Sequence, residues 1–498
     1  MLPPNFYSDW RQRIHAANAL REDAPEPPPE RLLASVWREQ RLLREQLVTA
    51  TGEPVRVLHP GFHNHEAGPD FRGAVIQFGA GAPQTGDVEI DVHASGWRAH
   101  GHDCNPNFQS VILHVIWAGK ADSYLPTLLL QSVLERPLRE LEPGPEGVLP
   151  EDQRGKCAGP LGELAGELQA ELLHQAAQVR LQTKATALEA RARQTGWEQA
   201  LWEGLFRALG YKQNVWPMLR LAELRPLWRE AAAPDPLVLQ ARLLGLAGLL
   251  PAEMNRDNGG GDNYLRAVWQ VWWRERDRFQ EHILPKPVWK FSGLRPANHP
   301  QRRLALAAHW LATESLPTRL EDWVAAPLPA APEALADSLE NILRTPPDDY
   351  WSWHWTLRSA RLAQPKPLLG RARVTDLAVN VILPWLWARA AAGFNDKLRR
   401  ELEQAYHRWP AGEDNSRLRL ARQRLWGGPA APKLNTSARQ QGLLQITRDF
   451  CDHVPATCAG CRFPELVQAA QSYNQPAIPP RQPQSRPGTS PQIWATGP

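Results

Sequence analysis

The pattern of apolar and polar positions divides the chain into an N-terminal part with strand-like spacing and a longer part with helical spacing. In the first part, the segments 55–58, 74–78, 87–93 and 110–117 are short and rich in Val, Ile and Leu. Such runs predict strands, and the Gly-rich linker GAGAPQTG between the second and third predicts a hairpin. Together with the helical pattern of RLLASVWREQRLLREQLV, which begins at residue 31, these strands predict a small α/β domain over residues 31–145.

The remainder of the chain has the pattern of an α-helical domain. Ala, Leu, Glu and Gln recur at helical spacing from about residue 160 to about 450, with breaks at turns such as 254–263. We therefore predict a helical domain over 155–465, and an α+β fold class for the whole chain. The Pro-rich composition of 474–498 predicts a disordered tail. Residues 1–30 are polar and end in EPPPE, so we expect a loose lead-in there.

The third predicted strand carries side chains on one face that are all able to bind a metal. Alternate side chains of a strand share a face. The polar face of this strand carries Asp87, Glu89, Asp91 and His93. Neighbouring carboxylates repel each other unless a cation or a proton lies between them. An ordinary half-buried strand is the alternative interpretation, but the lack of Ser, Thr or Lys at these positions favours a functional site.

A further acid, Asp70, precedes the second strand in the turn Gly68-Pro69-Asp70, and the hairpin would bring it beside Glu89. Seven of the 15 histidines lie between residues 59 and 114. Carboxylates on adjacent strands suit Mg²⁺ or Mn²⁺, whereas imidazoles favour Zn²⁺ or Mn²⁺. We expect a divalent cation held by Asp70 and Glu89. The candidates that complete the site are Asp87 and Asp91 as ligands, and His93 and His102 as general base or additional ligands.

Charge and cysteine content narrow the class of protein only a little. The formal net charge of +4 on 498 residues neither requires nor excludes a nucleic-acid partner. The N-terminus lacks the pattern of a secretory signal, and no run of about 20 apolar residues occurs. Five cysteines in so long a chain do not suggest a disulfide framework. We therefore expect a cytoplasmic protein with no membrane partner, and the sequence leaves its oligomeric state open.

A cysteine cluster near the C-terminus predicts a second metal site. CDHVPATCAGC places Cys451, Cys458 and Cys461 at C-x6-C-x2-C spacing, a pattern that is typical of metal binding in the absence of disulfides. The leading candidate for the fourth ligand is Cys157, followed by His453 and Cys104. Tetrahedral Zn²⁺ and a [4Fe–4S] cluster fit these ligands equally well. Three unligated thiols are the alternative interpretation.

One Arg-rich segment of the helical part suits phosphate. GLRPANHPQRRLALAA carries Arg295, Asn298, Arg302 and Arg303. Guanidinium groups bind phosphate oxygens through paired hydrogen bonds, so we expect these four side chains to be phosphate contacts. The alternative is an ordinary solvated helix face.

Two resemblances follow from these motifs. Pro69-Asp70, a hairpin and then Glu89-x-Asp91 resemble the PD-(D/E)xK nuclease superfamily, in which two acids bind metal and a Lys assists the attacking water. Asp91 stands at the Lys position here. The resemblance implies a restriction-endonuclease-like fold for the N-terminal domain, with either a modified metal site or a lysine supplied from elsewhere, or no catalysis.

The second resemblance covers nearly the whole chain, from about residue 30 to 465. LHPGFHNHEAGPDF, GDVEIDVHASGW, HGHD and VILHVIW are similar to the uncharacterised bacterial family known as domain of unknown function 2851. So are LLGLAGLLP, GLRPANHPQRRLALAA and VNVILP. This family has no assigned activity, so the resemblance implies relatives and not a reaction.

Our leading hypothesis from the sequence is a metal-dependent phosphodiesterase that acts on nucleic acid. The alternative is a non-catalytic nucleic-acid-binding or scaffold protein that has a degenerate nuclease-like core. A third hypothesis is a Zn²⁺ hydrolase built from the histidines.

Overall fold

The structure is a computed structural model with a mixed α+β fold, 57% helical, in which a small curled N-terminal sheet precedes a large helical region. This confirms the predicted α+β class. The structure describes residues 2–20, 28, 30–64, 68–121, 125–135, 154–228, 235–253, 263–291, 293–313, 315–427, 431–451, 458 and 460–473. The segment 474–498, for which the sequence predicts a disordered tail, lies outside the described residues.

The sheet has six strands in the described part of the chain. They are β1 (Val55–His59), β2 (Phe62–His63), β3 (Phe71–Phe78), β4 (Gln84–Asp91), β5 (Val111–Ile116) and β6 (Thr127–Leu129). Their spatial order is β1-β3-β4-β5-β6, and β2 pairs with β3. The β1–β3 and β3–β4 pairs are antiparallel, whereas β4–β5 and β5–β6 are parallel. The predicted hairpin is therefore β3–β4, and the connection from β4 to β5 must cross over the sheet.

The two faces of the sheet pack differently. On one face Val88, Ile90 and their neighbours form an apolar cluster with Trp37 of helix α2 (Glu30–Glu39). On the other face Leu58 and Val75 join the main core of the helical region. At the end of β4 this second face becomes polar, and the chain that follows β4 covers it with the short helix α3 (Gly96–Ala99). The alternation of β4 thus separates a packed apolar side from a covered polar side.

The helical region contains the remaining helices of the described residues. They are α4 (Ala158–Glu163), α5 (Gly166–Thr195), α6 (Trp197–Leu209), α7 (Val215–Glu223), α8 (Arg225–Trp228), α9 (Pro236–Leu246), α10 (Asn263–Phe279), α11 (Pro300–Ala312), α12 (Leu316–Ala325), α13 (Pro332–Leu343), α14 (Arg371–Leu377), α15 (Leu383–Ala392), α16 (Asp396–Arg408), α17 (Ser416–Trp426), α18 (Ser437–Ile446) and α19 (Phe463–Ser472). Two of them continue into π-helical turns: Ala378–Ile382 lies between α14 and α15, and Thr447–Cys451 follows α18.

The N-terminus differs from the loose lead-in that the sequence suggested. Helix α1 spans Phe6–Leu20. Tyr7 is fully buried in a core cluster with residues of α5 and α18, and its backbone amide donates to the side-chain oxygen of Gln175 at 3.0 Å. The expectation missed this contact because the segment is polar by composition and its anchors are only a few apolar side chains. No helix among the described residues combines the length and apolar character that a bilayer crossing requires.

Candidate metal centre

The β3–β4 hairpin brings the two predicted acids together. The register shifts between Phe71 and Ala74, a bulge that lets the chain before β3 approach β4. The amide of Asp70 donates to Glu89 Oε2 at 3.0 Å, and the amide of Ile90 donates to Asp70 Oδ2, also at 3.0 Å. Each carboxylate thus accepts a backbone amide from the opposite segment, so the pair of acids is fixed in place before any ligand binds.

Asp91, at the end of β4, is surrounded by imidazoles. Its Oδ2 lies 2.9 Å from Nε2 of His114 on the neighbouring strand β5, and its Oδ1 lies 3.3 Å from Nδ1 of His100. Asp91 and His114 are both almost completely buried, whereas the side chain of His100 is half exposed. One oxygen of Asp91 therefore makes a buried structural contact with His114. The other oxygen lies near solvent, beside His100.

His102 lies over Glu89. Its Nδ1 is 3.4 Å from Glu89 Oε1, yet this buried nitrogen has no hydrogen-bond partner. The ring stacks on Phe108 with centroids 3.9 Å apart, and Trp97 packs against its edge. The aromatic contacts hold the imidazole in one orientation and leave a ring nitrogen that is directed at an acid without a regular hydrogen bond.

Together these side chains form a group with ligand-like spacing. One ligand atom from each of Asp91, His100 and His102 lies within 4.8 Å of the others, and within the described residues this is the one such group of three His, Cys, Asp or Glu side chains. Gly96 borders it: a Cβ at this position would stand 2.3 Å from Asp91 Oδ1. Only a residue without a side chain fits there, so the glycine allows the Asp91 carboxylate to pack against the backbone of α3.

Burial and mutual repulsion raise the pKa values of the two acids. Desolvation and then the charge of Asp70 raise the pKa of Glu89 to about 9. Desolvation raises the pKa of Asp70 to about 6, against the lowering effect of its hydrogen bond from Ile90. Desolvation lowers the pKa of the His102 imidazole. At neutral pH the site therefore contains a protonated Glu89 and a neutral His102, and the latter form is the one that binds metals.

Two residues of the predicted polar face lie apart from this group. Asp87 accepts hydrogen bonds from the Gly73 amide at 2.9 Å and from the Ser110 hydroxyl at 2.7 Å, which is a bracing role within the sheet. His93 is exposed, and its Nδ1 lies 3.4 Å from the Ala118 carbonyl. The expectation that His93 shares the face of Glu89 does not hold, because β4 ends at Asp91 and the chain bends before residue 93.

The sequence analysis did not place His100 or His114 in the site. His114 has a period-two signal, since it lies between Ile112 and Ile116 on β5. His100 lies in a loop that folds back toward β4, and no local sequence pattern indicates this fold-back. The only sequence signal for His100 was the high density of histidines in this region. His59, in contrast, is structural: burial lowers its pKa to about 3, and its Nδ1 accepts the Gly61 amide. His65 lies outside the described residues.

The four predicted cysteine ligands share one core region of the helical part. Cys157, Cys451 and Cys458 are buried in or beside the cluster that packs α4, α17, α18 and α19, and Cys461 is partly buried against it. Arg424 joins the segments: its carbonyl accepts from the Gly155 amide, and its Nη2 donates to Cys458 Sγ at 2.9 Å. Helices from both ends of the helical region thus converge on the cysteines. His453 lies outside the described residues, and Cys104 is exposed.

The cysteines affect one another electrostatically. Desolvation, followed by the charges of Cys461 and Cys458, raises the pKa of Cys157 to about 12. Desolvation is also the main cause of the raised pKa of Cys461, and Cys458 adds to it. Cys458 has a left-handed backbone with φ of 56°, a conformation that is costly for a residue with a Cβ and that is often found at functional sites.

The spacing of these sulfurs bears on which metal they could hold. Four sulfurs around one Zn²⁺ lie about 3.8 Å apart, because each Zn–S bond is about 2.3 Å long. Among the described cysteines, no three sulfurs lie within 4.8 Å of one another. A cluster whose irons each take one cysteine requires a wider set of ligands than a single ion does.

The predicted phosphate contacts differ in how far they are buried in the structure. Arg302 is almost fully buried; its guanidinium donates to the carbonyls of Trp351, His354, Lys366 and Pro367. Arg303 is also buried and donates to the Leu368 carbonyl and to Asn298 Oδ1. Arg302 and Arg303 thus hold the segment 351–368 against α11, which favours a structural role for them over phosphate binding. Asn298 is only partly buried, and a phosphate contact there stays a prediction. Arg295 is 80% exposed, beside Glu413, and stays a prediction.

Comparison with known proteins gives a family and no activity. The chain belongs to the family described as Protein of unknown function (DUF2851), whose model matches residues 30–416. The match includes the sheet and the candidate metal centre and ends before the cysteine segment 451–461, so it is shorter than the expected resemblance. Neither the comparison with curated proteins nor that with solved structures gave a match.

Proposed function

We propose that this protein is a metal-dependent phosphodiesterase that acts on nucleic acid. A divalent ion would be held by Asp91, His100 and His102, with Glu89 adjacent. The observation that carries the proposal is the grouping of those three ligand atoms within 4.8 Å beside the acid pair of the hairpin. Such groupings of perturbed acids and histidines are characteristic of functional sites.

Three features of the site support the binding of an ion. His102 Nδ1 is buried and has no hydrogen-bond partner. Gly96 allows the Asp91 carboxylate to lie directly against its backbone, since a Cβ there would stand 2.3 Å from Asp91 Oδ1. His114 contacts the other oxygen of Asp91, as outer histidines and carboxylates do when they orient a ligand. The mixture of imidazole and carboxylate donors favours Mn²⁺ or Zn²⁺ over Mg²⁺.

The bound ion would supply an activated water and would neutralise charge on the phosphoryl group. The residues of this chain then have separate roles. Asp70, with a pKa of about 6, has lost most of its proton at neutral pH and suits a general base. Glu89, with a pKa of about 9, holds a proton that ion binding would release. Phe108 and Trp97 orient His102.

The nuclease class rests on the hairpin. An acid before one strand and an acid on the next, joined by reciprocal amide contacts, fit the resemblance to PD-(D/E)xK nucleases and a restriction-endonuclease-like sheet. The absent lysine is the main difference, since Asp91 occupies its position and has histidine partners. We propose that His100 and His102 act here as metal ligands and replace part of the set of two acids and a lysine found in PD-(D/E)xK nucleases.

The same difference supports a second candidate, a non-catalytic nucleic-acid-binding or scaffold protein. Glu89 is protonated at neutral pH in the absence of an ion, and a centre that binds no ion would have no means to activate water. Divalent-ion binding therefore separates the two candidates.

We also propose that Cys157, Cys451, Cys458 and Cys461 hold an iron–sulfur cluster that stabilises the helical region. Their burial in one region of the helical part and their electrostatic influence on one another support this. Bringing together residues that are far apart in the sequence would restrict the unfolded chain strongly.

The activity is tested with single-stranded and double-stranded DNA and RNA in Mn²⁺ or Zn²⁺. The comparison is between the wild type and His100→Ala, an exposed position whose loss should leave the fold intact. We expect phosphodiester cleavage by the wild type and a loss of at least 100-fold in His100→Ala. Equal cleavage by both proteins would show that contaminating nuclease or another site is responsible.

A further inference from the structure

A surface that combines aromatic rings with cations lies beside the sheet, where two loops of the helical region meet. The side-chain nitrogen of Asn214 donates to the Lys290 carbonyl, and its side-chain oxygen accepts from the Lys290 amide, both at 2.9 Å. Gly293 lies against the same loop, since a Cβ at this position would stand 3.9 Å from Gln213 Nε2. The chain that follows α6 and the chain that precedes α11 therefore form one surface.

Phe291 presents an aromatic ring on this surface. The ring stacks on the imidazole of His299, with centroids 5.2 Å apart and an interplanar angle of 17°, yet Phe291 is 42% exposed. Desolvation lowers the pKa of His299 to about 4, so the supporting imidazole is neutral at pH 7. Within the part of the chain that the structure describes, no second ring and no cation stacks on Phe291. The outer side of its ring is therefore available to another planar group.

The same two loops carry cations whose charges are not balanced by buried carboxylates. Lys290 directly precedes Phe291, and Lys212 is exposed on the neighbouring loop. Neither lysine forms an ion pair with another described residue. Arg295 is 80% exposed, and its partner Glu413, at 3.5 Å, is 66% exposed; an ion pair so open to water is weak. The surface is therefore positively charged and suits a partner with negative charges.

The surface is linked to the acids of the sheet through β2. The ammonium of Lys290 lies 5.0 Å from the centroid of the Phe62 ring on this strand. Two residues beyond Phe62, the amide of Asn64 donates to the Asp70 carbonyl at 2.7 Å, and two residues of a strand span about 7 Å. A polymer that passes Lys290 and Phe62 is therefore directed toward Asp70.

We infer that this surface binds single-stranded nucleic acid, with a base stacked on Phe291 and with phosphates beside the cations. The cations are Lys212, Lys290 and Arg295. Unpaired bases have accessible faces that stack on aromatic side chains, whereas the bases of a duplex are stacked on one another. Lysine and arginine attract the phosphates of the backbone. The inference rests on the nucleic-acid partner of the proposed function and names single strands as its substrate class.

The test is fluorescence anisotropy of a labelled DNA of about 12 nucleotides, used as a single strand and as a duplex. Chelator is present throughout, so that binding is measured without cleavage and without the candidate metal centre. The full-length proteins are the wild type, Lys290→Gln, Phe291→Leu and Phe291→Tyr. The matched controls are Phe394→Leu and Lys397→Gln, because Phe394 is 93% exposed and the side chain of Lys397 is 86% exposed.

We expect the wild type to bind the single strand at least tenfold more tightly than the duplex, and Phe291→Leu to bind the single strand at least fivefold more weakly than the wild type. Phe291→Tyr, which keeps an aromatic ring, and both controls should bind as the wild type does. Lys290→Gln should reduce the slope of log K against log salt concentration by about 0.7.

Three results would overturn the inference: no binding by the wild type, binding of the duplex as tight as that of the single strand, or single-strand binding that Phe291→Leu and Lys290→Gln leave unchanged. A protein that cleaves no nucleic acid in Mn²⁺ but shows the expected binding losses would support the inference and reject only the phosphodiesterase activity.

Discussion

The amide of Asp70 donates to Glu89 Oε2 at 3.0 Å across the β3–β4 hairpin, although the two residues are 19 positions apart in the sequence. The return bond from Ile90 to Asp70 closes the contact. Two acids that are held this close in a buried place cannot both be ionised without cost. A proton or a cation must therefore be part of the folded site.

We predict that the metal-free protein loses stability as pH rises. Glu89 has a pKa of about 9 when folded, against an ordinary value of 4.5. Between these values the folded protein keeps a proton that the unfolded chain has released, so the free energy of unfolding falls with pH across this window. The free energy of unfolding keeps its full value below pH 4.5, and by pH 7 it has fallen by about 3 kcal/mol. Urea unfolding in chelator from pH 5 to pH 8.5 measures it.

The matched variant for this prediction is Glu89→Gln. It keeps an oxygen for the Asp70 amide and has no ionisable group, so its stability should vary less with pH and exceed that of the wild type by about 1–3 kcal/mol at pH 8. Glu163→Gln, at an exposed position, should behave as the wild type. Parallel curves for the wild type and Glu89→Gln would refute the assignment of the buried proton to Glu89.

Gly96→Ala should weaken metal binding. The added Cβ would stand 2.3 Å from Asp91 Oδ1, so the carboxylate must turn away from His100. We expect the affinity for Mn²⁺ to fall by at least tenfold, with only a modest loss of stability. The control is Gly166→Ala, where a Cβ meets nothing within 4 Å. Unchanged Mn²⁺ affinity in Gly96→Ala would argue against Asp91 as a ligand.

The cysteine site predicts a coloured protein. Purified without oxygen, the wild type should be brown and contain iron and acid-labile sulfide. Cys458→Ser and Cys157→Ser should lose both, whereas Cys104→Ser, at an exposed position, should retain them. One equivalent of zinc in a colourless protein would instead identify a single-ion site, and the absence of any bound metal would leave the cysteines as buried thiols.

Alanine substitutions of Arg302 and Arg295 should distinguish an arginine with a structural role from one with a role at the surface. Arg302→Ala removes the donor to four backbone carbonyls, so we expect a loss of about 3 kcal/mol or more in the free energy of unfolding. Arg295→Ala should change stability by less than about 0.5 kcal/mol and should weaken binding to DNA. An Arg302→Ala variant of wild-type stability with reduced DNA binding would restore the phosphate interpretation of that residue.

The sequence predicts those strands of the sheet whose burial against a core imposes a pattern of apolar residues. Four strands were found because β1, β3, β4 and β5 each place apolar residues against a core. The strands β2 and β6, of two and three residues, are too short for a period and depend on pairing with neighbours. The nearness of Asp70 and Glu89 was predictable, because a hairpin constrains both.

The rest of the site depends on contacts that no local pattern contains. His100 and His102 reach β4 through a loop that contains Gly101 in a left-handed conformation, with φ of 72°. His93 was misplaced because the end of a strand is set by the chain that follows it. Arg302 has the sequence appearance of a surface cation, and only the carbonyls of residues 351–367, far along the chain, make it a buried donor.

The candidate metal centre is tested most directly by measuring Mn²⁺ binding to protein that lacks the divalent ion but keeps its cysteine site intact. Binding is monitored by calorimetry and by electron paramagnetic resonance. The wild type should bind one Mn²⁺ with directly coordinated nitrogen and with release of protons that increases as pH falls from 9. His100→Ala should lose the binding while keeping its fold by circular dichroism. Equal Mn²⁺ affinity in the wild type and in His100→Ala, or no binding in either, would contradict a metal centre at Asp91, His100 and His102.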